Sequence, residues 1–183
     1  MADVFMERRF DPPVTLTGLK EQFTSATNCL EMHRIGWQVS LLSTDGQCSV
    51  CRFSCPDEES LRIAVRQAGA KADSIWSGTI HLAPDVVPAE QHAANVVVTR
   101  RFEAPVTLES VQAIEDAGAW CLDAHNVKFM CTFFSRDRKR MICLYCAPDA
   151  ESVRLAQRQA GMPVDRVWSF NRLGPESGMA ASE

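Results

Sequence analysis

Apolar and polar residues follow two different periods along the chain, which predict short strands and longer amphipathic helices. The segments Val4–Phe10 and Val96–Phe102 have the composition of strands. A helix is expected after each of them, over residues 15–34 and 107–126, because a threonine stands at each start as an N-cap. In the first of these helices one apolar stripe repeats at helical spacing: Leu16, Leu19, Phe23 and Leu30.

The remaining segments complete the same order of elements in both halves of the chain. Strands are expected over residues 37–43, 49–54, 129–135 and 141–146. Asp57 and Asp149, each directly after a proline, are suited to cap a second helix that ends at a glycine. A last strand passes through Trp76 in the first half and Trp168 in the second. Each half therefore has the order β-α-β-β-α-β, which is typical of a ferredoxin-like unit.

The two halves are copies of one sequence, because the same residues recur at a constant spacing of 92. Cys29 and His33 recur as Cys121 and His125. The longer motifs that recur are Arg8-Arg9-Phe10 as Arg100-Arg101-Phe102, and Arg66-Gln67-Ala68-Gly69 as Arg158-Gln159-Ala160-Gly161. No gap is needed to align the copies, so the sequence predicts a tandem duplication.

The expected fold class is α+β, with two tandem ferredoxin-like βαββαβ units. Both helices of such a unit cover one face of an antiparallel sheet, which leaves an apolar second face to be covered. We expect the two sheets to pack face to face as an internal pseudo-dimer, as in dimeric α/β-barrel proteins. The expected boundaries are residues 1–80 for the first unit, 81–95 for a linker, 96–173 for the second unit and 174–183 for a flexible tail. The chain is then a monomer with its own pseudo-dimer, and further oligomerisation is left open.

Composition and charge narrow the classes of function. The chain has 183 residues, of which 46% are hydrophobic and 23% charged, and its net charge is −4. An acidic chain without a basic stripe is not expected to bind nucleic acid or an anionic membrane. No apolar run approaches the roughly 18–20 residues of a membrane span, and the first residues lack the apolar stretch of a signal peptide. We therefore expect a cytoplasmic protein whose eight cysteines stay reduced.

Several short motifs carry a family resemblance. They are Glu7-Arg8-Arg9-Phe10, Cys143-Leu144-Tyr145, Ala147-Pro148-Asp149 and Ala160-Gly161-Met162-Pro163. Together they resemble a small bacterial family of nickel-binding, ferredoxin-like proteins, formerly a domain of unknown function, and the resemblance covers nearly all of both copies. It implies a ferredoxin-like fold and nickel as the cofactor. The family often has histidine at positions that this chain fills with Val39, Cys131, Ala64 and Ala156.

One pair of candidate metal ligands recurs in both copies: Cys29 with His33, and Cys121 with His125. Residues four apart on a helix share a face, so the thiolate and imidazole of one pair are able to hold the same ion. Mixed sulfur and nitrogen ligands suit nickel, zinc or copper rather than calcium or magnesium. Two ligands fall short of the three or four that a metal site uses. The alternative is a core cysteine beside a histidine at a helix C-terminus.

Arginines at the ends of the first strands are the candidate ligand-binding residues. Strand alternation places Arg9 and Arg101 on the opposite face from Arg8 and Arg100, so one of these pairs is expected to line the space between the sheets. We assign the ligand-binding role to Arg9 and Arg101, because a guanidinium is suited to bind a carboxylate or phosphate. The alternative is an ion pair or simple exposure at the strand end.

No catalytic motif is recognisable in the sequence. It contains no identifiable Ser-His-Asp set, phosphate-binding loop or pair of acid–base carboxylates. The leading hypothesis is therefore a protein that binds a metal ion or a small molecule, without evident catalytic machinery. One alternative is a small-molecule enzyme of the isomerase, monooxygenase or lyase type, with its cavity between the two sheets. A second alternative is a regulatory or interaction module.

Overall fold

A computed structural model describes residues 1–175, and it contains the predicted order of elements in both copies. The first copy consists of β1 (Ala2–Arg9), α1 (Leu16–Met32), β2 (Gly36–Ser43), β3 (Cys48–Cys55), α2 (Glu58–Gln67) and β4 (Ser74–Leu82). A 3₁₀ helix, Pro88–Ala93, lies in the segment between the copies. The second copy consists of β5 (Val96–Arg101), α3 (Leu108–Ala117), α4 (Ala119–Ala124), β6 (Lys128–Ser135), β7 (Arg140–Cys146), α5 (Ala150–Gln159) and β8 (Arg166–Leu173).

The chain forms two compact units. Among the described residues, the first unit contains Met1–Gly78 and residues 170–175, and the second contains Thr79–Ser169. Because the division falls inside β4 and β8, each unit takes one part of both strands. The boundaries expected from the sequence stay a prediction, and residues 176–183 of the expected tail lie outside the described residues.

In the first unit an antiparallel sheet carries α1 and α2 on one face. β1 lies between β4 and β3, β2 follows β3, and the end of β8 pairs with β2. Val4 and Met6 of β1 face the helices. They form one core with Leu19, Phe23, Leu30, Leu61 and Ala64. Burying one large apolar side chain contributes about 1.5–3 kcal/mol, so the apolar stripe holds α1 on the sheet more than helix propensity does.

The second unit has the same arrangement of strands and helices. β5 lies between β8 and β7, and β6 follows β7, all antiparallel. Val96 and Val98 of β5 share a core with residues from β7 and α5, namely Cys143, Tyr145, Val153 and Ala156. A tyrosine in this apolar layer needs a partner for its hydroxyl group, which the neighbouring arginine supplies, as described below.

All four predicted N-caps are confirmed. The side chains of Thr15, Asp57, Thr107 and Asp149 each accept a hydrogen bond from the backbone N–H three residues further on. Such a cap contributes roughly 1 kcal/mol and sets the residue at which each helix begins. The longest helix, α1, has 17 residues. None of the described helices combines the length and the apolar character needed to cross a membrane.

The first helix of the second copy differs from the predicted single helix over residues 107–126. It is divided into α3 and α4 at Gly118, whose N–H donates to the carbonyls of Ile114 and Glu115. A Cβ at Gly118 would lie 2.6 Å from the Cβ of Ala160, so the helices approach more closely than a larger residue allows. Ala26 has this position in the first copy, where α1 continues unbroken. The prediction of one helix was wrong here because glycine weakens a helix interior.

Candidate functional site

The arginines assigned to ligand binding are the last residues of β1 and β5, and each forms an ion pair with the aspartate that directly precedes β4 or β8. Arg9 donates to Asp73 with 3.2 Å between Nη2 and Oδ1, and the Nε of Arg101 lies 3.5 Å from the Oδ2 of Asp165. Both arginine side chains are largely exposed, at 75% and 61%. A ligand here has to displace the aspartate or bind beside it. The ligand-binding role of Arg9 and Arg101 stays a prediction.

The preceding arginine of each copy lies on the side of the strand that faces the helices. Arg8 follows Val4 and Met6 on that side of β1, and Arg100 has the same position on β5. An arginine between a sheet and its helices loses much of its hydration and therefore needs polar partners. The two copies meet this requirement differently.

In the second unit the protein's own groups surround the guanidinium of Arg100, which is 1% exposed. Its Nη1 donates to the carbonyl oxygen of Pro163 at 2.6 Å. Its Nη2 donates to the hydroxyl of Tyr145 at 3.0 Å and to the Oε1 of Gln157 at 2.7 Å. Burial lowers the pKa of Arg100, but its polar and acidic neighbours Cys143, Tyr145 and Glu115 outweigh that effect, and the net shift is upward. The guanidinium therefore stays charged.

In the first unit two of these polar partners are replaced by apolar residues. Phe53 stands at the position of Tyr145, and Val65 stands at the position of Gln157. Neither side chain accepts a hydrogen bond. Arg8 is consequently only part-buried, in contrast to its counterpart in the second unit.

The hydrogen bonds of Arg8 go to neutral acceptors. Its Nε donates to the carbonyl oxygen of Lys71 at 2.9 Å, and its Nη1 donates to the Oε1 of Gln22 at 3.0 Å. The guanidinium carbon lies 4.7 Å from the centre of the Phe10 ring. Burial lowers the pKa of Arg8, although the nearby Asp73 counteracts it. Arg8 is therefore a partly desolvated cation whose hydrogen bonds to the described residues include no carboxylate.

A cavity of about 700 Å³ lies beside Arg8, between α1 and the C-terminal end of α2. Nine of its sixteen lining residues are apolar: Met6, Phe23, Ala26, Leu30, Phe53, Ala64, Val65, Ala68 and Ala70. Its charged lining residues are Arg8 and Lys71, with Glu21 as the single acid. The volume falls within the range of about 300–1,000 Å³ that small-molecule sites occupy. The pocket combines apolar walls with a net positive charge.

The histidines of the predicted metal pairs join neighbouring helices. The Nε2 of His33 lies 2.8 Å from the Oε1 of Gln67, and the Nε2 of His125 lies 3.0 Å from the Oε1 of Gln159. Each contact connects the C-terminal end of α1 or α4 with the last residue of the following helix. A metal bound through Nε2 would have to replace the glutamine.

The cysteines do not complete a metal site with these histidines. Cys29 is half-buried, and Cys121 is fully buried. Burial raises the pKa of the thiols of Cys51 and Cys143, which disfavours the thiolate that a metal requires. Within residues 1–175, no group of three or more His, Cys, Asp or Glu side chains is arranged to hold a metal ion. Two donors per copy do not fit nickel as they stand.

Sequence reasoning missed the polar partners of Arg100. A signal for them exists in the comparison of the two copies, because three apolar residues of the first copy are polar in the second: Phe23, Phe53 and Val65 correspond to Glu115, Tyr145 and Gln157. A polar residue at a core position is expected to have a hydrogen-bond partner. That partner is Arg100 for two of them, through the hydrogen bonds given above.

Known structures of similar length match both copies together. A mutant chlorite dismutase from Candidatus Nitrospira defluvii is 9% identical, with a TM-score of 0.50 over 92% of this chain and 90% of its own. A heme-binding protein from Thermus thermophilus is 7% identical, with a TM-score of 0.46 over 96% of this chain and 92% of its own. The likeness to chlorite dismutase concerns the fold alone, and it confirms the predicted fold class over nearly the whole chain.

The comparisons with one nickel-responsive family each cover less than half of the chain. The structure of SCO4226 from Streptomyces coelicolor is 17% identical, with a TM-score of 0.38 over 47% of this chain and 100% of its own. No curated protein matches the chain. The resemblance predicted from the sequence is confirmed over residues 97–169, which match the family of SCO4226-like nickel-responsive proteins.

Proposed function

We propose that the first unit binds a small organic anion, a carboxylate with an apolar body, in the pocket beside Arg8. The observation that supports this is a part-buried guanidinium whose hydrogen bonds go to neutral acceptors at the edge of an apolar cavity. Such a cation is stabilised by an anion that takes the place of lost hydration. The pocket walls accept the carbon skeleton of the same ligand.

The chemistry of the pocket favours a monoanionic carboxylate. Arg8 and Lys71 each carry one positive charge and Glu21 carries one negative charge, so the net charge of the pocket lining is +1. A guanidinium binds a carboxylate through charged hydrogen bonds, each of which contributes about 1.5–3 kcal/mol. The apolar walls favour a ligand with a hydrocarbon part over inorganic phosphate.

The test is calorimetric titration of the full chain with decanoate, with 1-decanol as the neutral probe of equal length. We expect decanoate to bind and decanol to bind at least about tenfold more weakly. Arg8→Gln should weaken decanoate binding by about tenfold or more, since the charged hydrogen bonds are lost. Arg9→Gln is the matched control, because it removes the same charge from the next residue, which pairs with Asp73.

The paired variants also test the role predicted from the sequence. Loss of decanoate binding in Arg9→Gln, with binding retained in Arg8→Gln, would overturn the pocket proposal and support the sequence-based assignment of Arg9. Equal binding of decanoate and decanol would mean that the pocket recognises only the apolar chain. That result also contradicts the proposal.

The family match supports a second candidate function, which is nickel binding by the Cys29/His33 or Cys121/His125 pair. Residues 97–169, which contain Cys121 and His125 but not Cys29 and His33, match a family of nickel-responsive proteins. Neither pair has a third donor within residues 1–175, so a complete site needs a further ligand from outside those residues. Equilibrium dialysis of untagged protein against nickel tests this candidate. Uptake that disappears in His125→Ala supports it, and uptake below about a tenth of an equivalent contradicts it.

The proposal includes a cytoplasmic setting in which the cysteines remain thiols. All eight are free in the structure. Burial raises the pKa of Cys55 to about 11, so this thiol stays protonated and unreactive near neutral pH. Unfolding curves measured with and without a reducing agent should coincide, and a large difference would contradict this part of the proposal.

A further inference from the structure

The second unit contains a different and smaller pocket. Its volume is about 300 Å³, and it lies between α3 and residues of β6 and β7. Leu108 and Val111 of α3 form apolar walls together with Phe129 and Met141 of the sheet. Because this volume is at the lower end of the range for small-molecule sites, the ligand has to be small.

The charged groups of this pocket are acidic. Glu109 and Glu115 both line it, and the lining includes neither lysine nor arginine. His81 is the one lining residue that gains a positive charge when protonated. The pocket beside Arg8 in the first unit has the opposite balance of charge.

Glu115 provides an acceptor atom that the protein leaves unused. Its Oε1 is buried and has no hydrogen-bond partner among the described residues. Arg100 lies near enough to affect the charge of Glu115, but its Nη groups donate to three other acceptors and its Nε makes no hydrogen bond within the described residues. A buried carboxylate oxygen without a donor costs free energy that a donor on a ligand would recover.

We infer that this pocket binds a small primary amine as its ammonium ion. The ammonium group pairs with the carboxylate of Glu115, and the carbon chain of the amine packs against Leu108, Val111 and Met141. The ring of Phe129 adds an aromatic surface that favours a cation. Phe23 stands at the position of Glu115 in the first copy, so this site belongs to the second copy only.

Amine binding at this site strengthens as the pH rises. Burial raises the pKa of Glu115, although Arg100 lowers it, so the carboxyl keeps its proton to a higher pH than an ordinary glutamate. An ammonium ion needs the ionised carboxylate, and primary alkylamines themselves stay protonated up to about pH 10. The other charged or titratable groups around the site are Arg100 on β5, Asp116 and Glu109 on α3, Cys143 and Tyr145 on β7, and His81 on β4.

The test is calorimetric titration of the full chain with hexylamine, with 1-hexanol and hexanoate as probes of matched length. We expect hexylamine to bind most tightly and Glu115→Gln to weaken it by about tenfold or more. Asp116→Asn, on the same helix but exposed, should change the affinity less than about twofold. The rise of affinity with pH should persist in His81→Gln and disappear in Glu115→Gln.

Two results would overturn the inference directly. One is equal hexylamine affinity in the wild type and Glu115→Gln, and the other is hexanol binding as tightly as hexylamine. Val111→Trp fills the cavity without changing its charge, so retained binding in this variant would place the amine elsewhere and overturn the inference as well. Decanoate titration of Glu115→Gln should be unchanged, because that probe binds beside Arg8. Failure of one proposal is therefore distinguishable from failure of the other.

Discussion

The two copies carry an arginine at the same position of their first strand, and they surround it with opposite kinds of residue. Arg100 is enclosed by polar partners of the second unit. Arg8 borders a pocket, because Phe53 and Val65 stand where two of those partners would be. A few substitutions in a duplicated scaffold are thus enough to make one arginine structural and leave its counterpart beside open space.

The same comparison applies to the charge of the two pockets. The position on the first helix that is Phe23 in the first copy is Glu115 in the second. Phe23 lines a pocket with a net positive charge, whereas Glu115 lines an acidic one. A pair of identical chains would have two equal sites, but a fused pair is able to develop two sites for different ligands.

The largest expected effect is a difference in the free energy of unfolding between variants of Arg100 and of Arg8. Arg100→Met removes the donor that satisfies the buried Tyr145 and Gln157, and we expect it to lower the free energy of unfolding by about 3–5 kcal/mol. Arg8→Met should lower it by less than about 1 kcal/mol, because the part-buried Arg8 leaves no buried side chain without a partner. Urea denaturation of both variants measures the difference. Equal losses would show that the two arginines do not differ in structural role.

The close packing at Gly118 should give the next largest effect. Gly118→Ala places a methyl group 2.6 Å from the Cβ of Ala160, and we expect a loss of about 1–3 kcal/mol in the free energy of unfolding. Ala26→Gly, at the same position of the first copy, should cost about 1 kcal/mol through helix propensity alone. Thermal denaturation measures both. Adding Ala160→Gly should restore part of the stability of Gly118→Ala, and no recovery would contradict the steric explanation.

Giving the first copy the polar partners of the second should close its pocket. In Phe53→Tyr/Val65→Gln, Arg8 gains a hydroxyl and an amide acceptor, and we expect decanoate affinity to fall about tenfold. Ile63→Gln, on α2 but outside the pocket lining, is the control and should leave the affinity unchanged. Calorimetric titration measures the affinities. Undiminished binding in the double variant would mean that charge compensation does not distinguish the copies.

The smallest effect is the dependence of stability on pH at Glu115. Because its pKa is raised in the folded chain, its stabilising contribution is present below the unfolded pKa of about 4.3 and is lost as the pH rises through the folded value. Glu115→Gln has no titrating carboxyl at this position and therefore does not lose this contribution. The free energy of unfolding of the variant, relative to that of the wild type, should increase as the pH rises from about 4.3 through the folded pKa of Glu115. Urea denaturation at a series of pH values measures it. Glu109→Gln, which changes an exposed residue, should show no such trend.

The sequence by itself determined the duplication, the order of the elements and the starts of the helices. These properties depend on local chemistry: strand and helix periods, and caps such as Thr15 and Asp57, act within a few residues. The divided helix at Gly118 was missed although the glycine that weakens it is visible in the sequence; what lies outside the local pattern is the close approach of Ala160, 42 residues away along the chain. The sequence shows the glycine but not the neighbour that requires it.

Only the tertiary structure decided which arginines meet the helices and what surrounds them. Alternation along β1 and β5 separates Arg8 and Arg100 from Arg9 and Arg101, but it does not tell which face the helices cover near the strand end. Packing places residues from distant segments around Arg100, and leaves a cavity around Arg8 where the same segments are apolar. A cavity depends on the fit of side chains from several elements at once, so no local pattern in the sequence predicts it.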